Sequence, residues 1–220
     1  MLGGLFESAP EPAASPRGGA LGFSFNQDGS CLAIGTRDGF RVYGLQPFAR
    51  AFSSKGGGQK LAEMLGCSSL ICLVGAGEAP ALSPRCLRLY DLRARKVLTE
   101  VSFAAAVNKV VLNRSRLAAA CPGAVYVFDL RSMECLRALD LAAESAAGAL
   151  SAETPTPGNA ADARGRRPHS PADSHLMVLS SESARNPCLL ATPTTFTGEI
   201  LLFDTIRLRT VHKFIAHKTP

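Results

Sequence analysis

The chain has 220 residues, 46% hydrophobic, with no tryptophan, 6% aromatics and a formal net charge of +6. That is enough apolar material for one large all-β domain or two smaller ones, and no apolar run approaches the ~18 residues needed to cross a bilayer. The stretch from Met1 to Ser8 has no basic segment ahead of a long apolar run, so no secretory signal is read there; the positive charge favours anionic partners only weakly.

Residues 1–19 hold Pro10, Pro12 and Pro16 among alanines and glycines and are expected to be a disordered leader. From residue 20 the pattern turns β-rich. Leu21–Phe25 alternates, Asn26-Gln27-Asp28-Gly29 turns, Cys31–Gly35 returns, and Thr36-Arg37-Asp38-Gly39 turns again into Phe40–Leu45. Asp-Gly between apolar runs is a hairpin signal, because glycine tolerates the positive φ of tight turns. A second unit follows the Gly-rich Lys55–Gly58, with strands expected at Leu61–Leu65, Leu70–Val74, Cys86–Tyr90 and Lys96–Val101. A third has Val107–Leu112, Leu117–Cys121, Ala124–Phe128 and Glu134–Leu139. Residues 142–174 are rich in Ala, Ser, Pro and Gly and cannot bury enough surface to offset ordering entropy, so they are expected to be a disordered insertion. A fourth unit holds His175–Leu179, Cys188–Thr192, Gly198–Phe203 and Arg209–Ile215.

Each unit contains an apolar run closing on an aromatic: Tyr43, Tyr90, Phe128 and Phe203, the last three followed by Asp. The intervals are 47, 38 and 75 residues. The first two match the roughly 40–45 residues of a propeller blade, and the third is lengthened by one polar insertion. No helix-length crossover separates the strands, which excludes a parallel α/β fold. The fold class read from the sequence is all-β, a WD40-like β-propeller, with blades at about 20–60, 61–101, 102–141 and 175–220. Four blades lie near the lower limit of a closed ring, so the chain is read as a four-blade portion of a larger propeller.

Chemistry-bearing clusters are sparse. The seven cysteines form no Cys-x-x-Cys pair, and Cys31, Cys72, Cys121 and Cys188 fall inside strand-like runs, as buried reduced thiols do. His169, His175, His212 and His217 have no carboxylate or cysteine at metal-ligand spacing, and His217 is read as a blade-junction residue. Gly75-x-Gly77 lacks the third glycine and helix of a dinucleotide site. No catalytic residue, metal or cofactor is expected, and the chain is not read as an enzyme. Nucleic acid is not expected either, since base-stacking aromatics are not interleaved with the basic residues.

Several stretches taken together resemble a known family. They are Phe25-Asn26-Gln27-Asp28 with Gly39-Phe40-Arg41-Val42-Tyr43; Glu63-Met64-Leu65 with Leu70–Leu73 and Val74-Gly75-Ala76-Gly77; Leu112-Asn113-Arg114-Ser115-Arg116-Leu117; and Gly198-Glu199-Ile200 with Phe203-Asp204-Thr205 and Ala216-His217. In this order they resemble the PROPPINs, the phosphoinositide-binding propellers of autophagy called WIPI proteins in animals, with a tilt toward the branch containing WIPI3 and WIPI4. The resemblance implies seven blades, recognition of phosphatidylinositol 3-phosphate or the 3,5-bisphosphate, and a cytoplasmic protein peripheral on phagophore or endosomal membranes. It also implies a paired-arginine lipid motif, Phe- or Leu-Arg-Arg-Gly. The sole Arg-Arg pair here, Arg166-Arg167, lies between Gly165 and Pro168 in the expected insertion, so no lipid site is assigned to this chain. Partner sites are implied instead. Asn26 and Asp28 match positions that contact an autophagy lipid-transfer protein, and as an exposed Asn-x-Asp would offer acceptors on one side of a turn; the simpler reading is that they cap that turn. Arg114 matches an arginine that grips an acidic segment of a conjugation-complex subunit, with Lys109 and Arg116 expected to supplement its field; the simpler reading, favoured for this branch, is a solvated basic turn.

Overall fold

A computed structural model of the protein describes residues 19–149, 176–181 and 188–216. The described chain forms four antiparallel sheets of four strands, each in sequence order. The first contains β1 (Ala20–Phe25), β2 (Cys31–Thr36), β3 (Gly39–Leu45) and β4 (Phe48–Ser54). The second contains β5 (Gln59–Met64), β6 (Leu70–Gly75), β7 (Cys86–Asp91) and β8 (Lys96–Ser102). The third contains β9 (Lys109–Leu112), β10 (Arg116–Cys121), β11 (Ala124–Asp129) and β12 (Cys135–Asp140), and the fourth β13 (Val178–Leu179), β14 (Leu189–Pro193), β15 (Glu199–Asp204) and β16 (Arg209–Ile215). Such meanders are propeller blades. The chain divides into two compact units, residues 1–114 and 115–220.

In the first unit the alternation of β2 and β3 sends Cys31, Ala33, Phe40 and Val42 to one face. There they join Phe52 of β4 and Ala62, Met64, Ile71 and Leu73 of the second sheet in one core. Burying each large side chain stabilises by about 1.5–3 kcal/mol. Phe40 stacks on Phe52 at 5.5 Å and meets Tyr90 edge-on at 5.7 Å, which explains why an aromatic closes the third strand of the second blade. The two sheets approach at backbone distance. A Cβ on Gly22 or Gly35 would collide with the carbonyl oxygens of Lys60 or Gln59, and Ser24 Oγ donates to the Ala62 carbonyl at 2.6 Å. The other face of the first sheet leaves Phe23, Phe25 and Phe48 exposed.

Three expectations are corrected. The strand β4 had no counterpart in the sequence reading; its pairing with β3 from Phe40 to Leu45 creates it. The short β13 covers only Val178–Leu179 of the expected His175–Leu179, and His175 lies outside the described residues. The expected disordered insertion begins instead as a helix, α1 (Leu141–Ala149). Asp140 Oδ1 accepts the Ala142 and Ala143 amides at 2.9 and 3.1 Å, an N-cap ahead of an alanine-rich, helix-favouring run. The helix is fastened within the second unit: Glu144 accepts from Thr210 Oγ1 at 3.0 Å and pairs with Lys213 at 3.7 Å, and Leu141 is buried. The expected leader through residue 18, the insertion from 150 to 174, Arg166, Arg167, His169 and His217 lie outside the described residues.

Candidate functional site

The site grows from the β1–β2 turn. Asn26 is 4% exposed and its side chain is spent internally. Its Oδ1 accepts the Cys31 amide at 2.9 Å, while its Nδ2 donates to Ser30 Oγ at 3.1 Å and to Cys67 Sγ at 3.6 Å. This corrects the picture of an exposed Asn-x-Asp: Asn26 is the brace, and Asp28 alone is turned outward. Asp28 Oδ1 accepts from Ser30 Oγ at 2.6 Å and from the Ser30 amide at 3.0 Å; Oδ2 accepts from Cys67 Sγ at 3.5 Å. Those bonds, the Ser30 hydroxyl first, hold the Asp28 carboxyl below its ordinary value.

The residue between them, Gln27, reaches across blades. Its Nε2 donates to the carbonyls of Met64 and Leu112, both at 2.9 Å, and its Oε1 accepts from the Gly66 amide. Gly66 adopts φ 49° in the β5–β6 turn, a conformation costly for other residues. The Leu112 contact sets the β1–β2 turn beside the end of β9, two residues before Arg114. Asp28 and Arg114, joined in the sequence only by resemblance, thus stand on turns tied to one another. Gln27 itself was not singled out as a site residue, since its partners lie 37 and 85 residues away and no local pattern announces them.

Arg114 is exposed and forms no ion pair with a described residue, whereas its expected helpers are engaged elsewhere. Lys109 Nζ pairs with Glu63 Oε1 at 2.8 Å. Burial pushes the Glu63 carboxyl up and the Lys109 charge only partly opposes this. Arg116, in the second unit, pairs with Asp129 at 2.8 Å and donates through Nε to the Thr205 carbonyl at 3.1 Å. Neither adds a free charge to the Arg114 turn, so among the described residues that turn presents one guanidinium without an ion pair rather than a basic field.

Elsewhere the ionisable groups read as structural. The thiols of Cys31, Cys72, Cys121 and Cys188 are buried; burial raises those of Cys31, Cys72 and Cys121, the last to about 11, keeping them protonated near neutrality. Among the described residues no group of three or more His, Cys, Asp or Glu could hold a metal ion, and no helix is long and apolar enough to cross a membrane.

Comparison with known proteins gives this geometry its context. Residues 20–159 match the profile of the PROPPIN family. The chain is a PROPPIN. It is 33% identical to autophagy-related protein 18 of Yarrowia lipolytica (strain CLIB 122 / E 150) over 198 residues, covering 90% of this chain and 47% of that protein. With autophagy-related protein 18 of Mycosarcoma maydis it shares 32% identity over 203 residues, 91% of this chain and 43% of the relative. This PROPPIN chain therefore spans about half the length of these relatives. Among solved structures it is similar to KlAtg21 in its complex with the coiled coil of AgAtg16, with TM-score 0.65, 20% identity, and coverage of 90% of this chain and 56% of that one. KlHsv2 with its loop 6CD replaced by a Gly-Ser linker gives TM-score 0.64 at 18% identity, covering 92% and 54%. At these identities the structural likeness establishes the β-propeller fold.

Proposed function

We propose that this PROPPIN chain is a recruitment scaffold of autophagy that works without catalysis, docking protein partners on the edge formed by residues 26–30, 65–69 and 113–114 of the first unit. The observation that carries the reading is the contrast among basic residues: Lys109 and Arg116 are neutralised by Glu63 and Asp129 while Arg114 is left outward. An exposed guanidinium on a short turn can grip a carboxylate bidentately. Asp28 supplies an outward acceptor for a basic or hydroxyl-bearing partner, and Asn26 serves it by holding the turn. Acidic partners of the conjugation-complex kind fit Arg114, and a lipid-transfer protein fits the Asp28 turn. KlAtg21, the related propeller, is known with the coiled coil of AgAtg16, which supplies a ready probe.

In the same reading the protein binds phosphatidylinositol 3-phosphate or the 3,5-bisphosphate and sits peripherally on phagophore or endosomal membranes. Its lipid pockets would come from sequence outside these 220 residues, because the sole Arg-Arg pair is Arg166-Arg167, without the expected flanking residues. The test has two arms at physiological salt: titration of the purified chain with the AgAtg16 coiled coil, and sedimentation with liposomes with and without phosphatidylinositol 3-phosphate. Coil binding that Arg114→Ala weakens about tenfold to a hundredfold, as expected for a lost charged hydrogen bond, with no lipid-dependent sedimentation, supports the reading. Coil binding indifferent to Arg114 removes the partner site. Lipid-specific sedimentation surviving Arg166→Ala/Arg167→Ala would place a lipid pocket inside these blades.

A further inference from the structure

We infer that Gln27 is the positioning residue that makes the three turns one coupled edge, so that the Asp28 turn and the Arg114 turn hold their places together. The inference deepens the partner-binding reading above and rests on it for its functional meaning. A glutamine amide has two N–H donors and one carbonyl acceptor, and here both ends are employed: two carbonyl oxygens on the nitrogen, one amide N–H on the oxygen. The partners belong to β5, the β5–β6 turn and β9, all in the first unit, so one side chain on the β1–β2 turn holds two further strands. Both β5 and β9 are the edge strands of their sheets, where carbonyls on the free side have no neighbouring strand to accept from.

Three consecutive residues divide the work. Asn26 points in and braces its own turn, Gln27 reaches sideways, and Asp28 points out. A second contact closes the same clasp. Cys67, on the turn whose Gly66 amide Gln27 holds, lies 3.0 Å from Ser30 Oγ and donates to Asp28 Oδ2. Asp28, held first by Ser30 of its own turn, thus takes one further contact from the 65–69 turn, whose placement depends on Gln27. Other groups cannot substitute. Asparagine is a methylene shorter, glutamate carries no donor when ionised, and alanine carries neither group. The packing of the blades does not rest on this amide, since Lys109–Glu63 and Ser24–Ala62 link the same strands independently.

The experiment is ¹⁵N relaxation of the full 220-residue chain, unmodified and with Gln27→Ala or Gln27→Glu. In Gln27→Ala the order parameters of residues 65–69 and 113–114 should fall from about 0.85 toward 0.6 or below, with those of β2, β3, β6 and β7 unchanged. Gln27→Glu keeps the acceptor for Gly66 but loses both donors, so 65–69 should stay ordered while 113–114 loosens. Unchanged turns in Gln27→Ala, loosening of 65–69 alone, or uniform loosening of the strands would each overturn the proposal. Titration with the AgAtg16 coiled coil then reads the functional consequence: Gln27→Ala should weaken binding about tenfold, and add little once Arg114→Ala is present. If the unmodified chain does not bind that coil, the partner reading fails, while the relaxation result still decides the role of Gln27.

Discussion

Two kinds of turn in this molecule show where a propeller spends its polar groups. The turns after the third strands of blades two, three and four close on themselves. Asp91 accepts the Arg93 amide at 2.8 Å, Asp129 the Arg131 and Ser132 amides at 3.0 Å, and Asp204 the Ile206 and Arg207 amides at 2.9 and 3.0 Å. Asp129 also satisfies Arg116, and Asp204 pairs with Arg207 at 3.6 Å. The turns of residues 26–30 and 65–69 add bonds to one another on top of their own. Asp28 accepts the Ser30 amide within its turn and Cys67 Sγ from the next. Gln27 reaches Met64, Gly66 and Leu112, and Asp28 and Arg114 are left outward. Self-satisfied turns stabilise a hairpin and offer little to a partner, whereas cross-linked turns hold outward groups in fixed relation.

That contrast can be broken at several points, and the largest effect should come from the blade contact beneath the edge. Gly35→Ala drives a Cβ into the Gln59 carbonyl, and urea melts should show a loss of about 3 kcal/mol. Next comes the self-satisfied class. Asp129→Ala removes the acceptor of two backbone amides and the carboxylate partner of the Arg116 guanidinium, so stability should drop by roughly 2 kcal/mol. Hydrogen bonds from the Ser132 and Arg131 amides and the Arg116 charge lower the Asp129 carboxyl. Its folded-state value thus lies below the unfolded one, so its stabilisation is present above the ordinary carboxylate range and is lost as pH falls through the lowered value. Asp129→Ala should therefore matter at pH 7 and fade toward pH 2, as melts across that range would show.

Lys109→Met sharpens the pH argument with the opposite sign. Glu63 is already raised by burial, and without Lys109 it should rise further. A raised carboxyl binds its proton more tightly in the folded state, so stability falls as pH climbs from the ordinary glutamate value through the raised one. The variant should lose more stability at pH 7 than at pH 4.5, and equal losses would show that the ion pair contributes little. The smallest expected effect on the fold is that of Arg114→Ala, within about 0.5 kcal/mol, since Arg114 is exposed and pairs with no described residue. A large thermal shift there would assign Arg114 to the structure rather than to a partner.

The legibility of these features in the sequence follows their range. The alternation in β2, β3 and β11, the Asp-Gly turns and the recurrent aromatic-Asp ending are contained in windows of a few residues, and the blades could be read from them. The strand β4 and the helix α1 were harder. The former depends on pairing with β3, and the latter draws its burial and its Glu144 contacts from residues some sixty positions on. At the candidate site, resemblance pointed to Asn26, Asp28 and Arg114 but could not say which of them faces outward, nor that Lys109 and Arg116 are neutralised.

The sequence by itself determined the all-β class, the four repeating units and the PROPPIN likeness, because hydrophobic period, turn chemistry and motif order are local properties of a chain. Only the tertiary structure decided that Asn26 is internal, that Gln27 reaches two further strands and a turn, and that of Lys109, Arg114 and Arg116 it is Arg114 that is left outward. Those outcomes depend on which carbonyls and carboxylates meet across tens of residues, and such meetings are set by blade packing, in which Gly22 and Gly35 let two backbones touch.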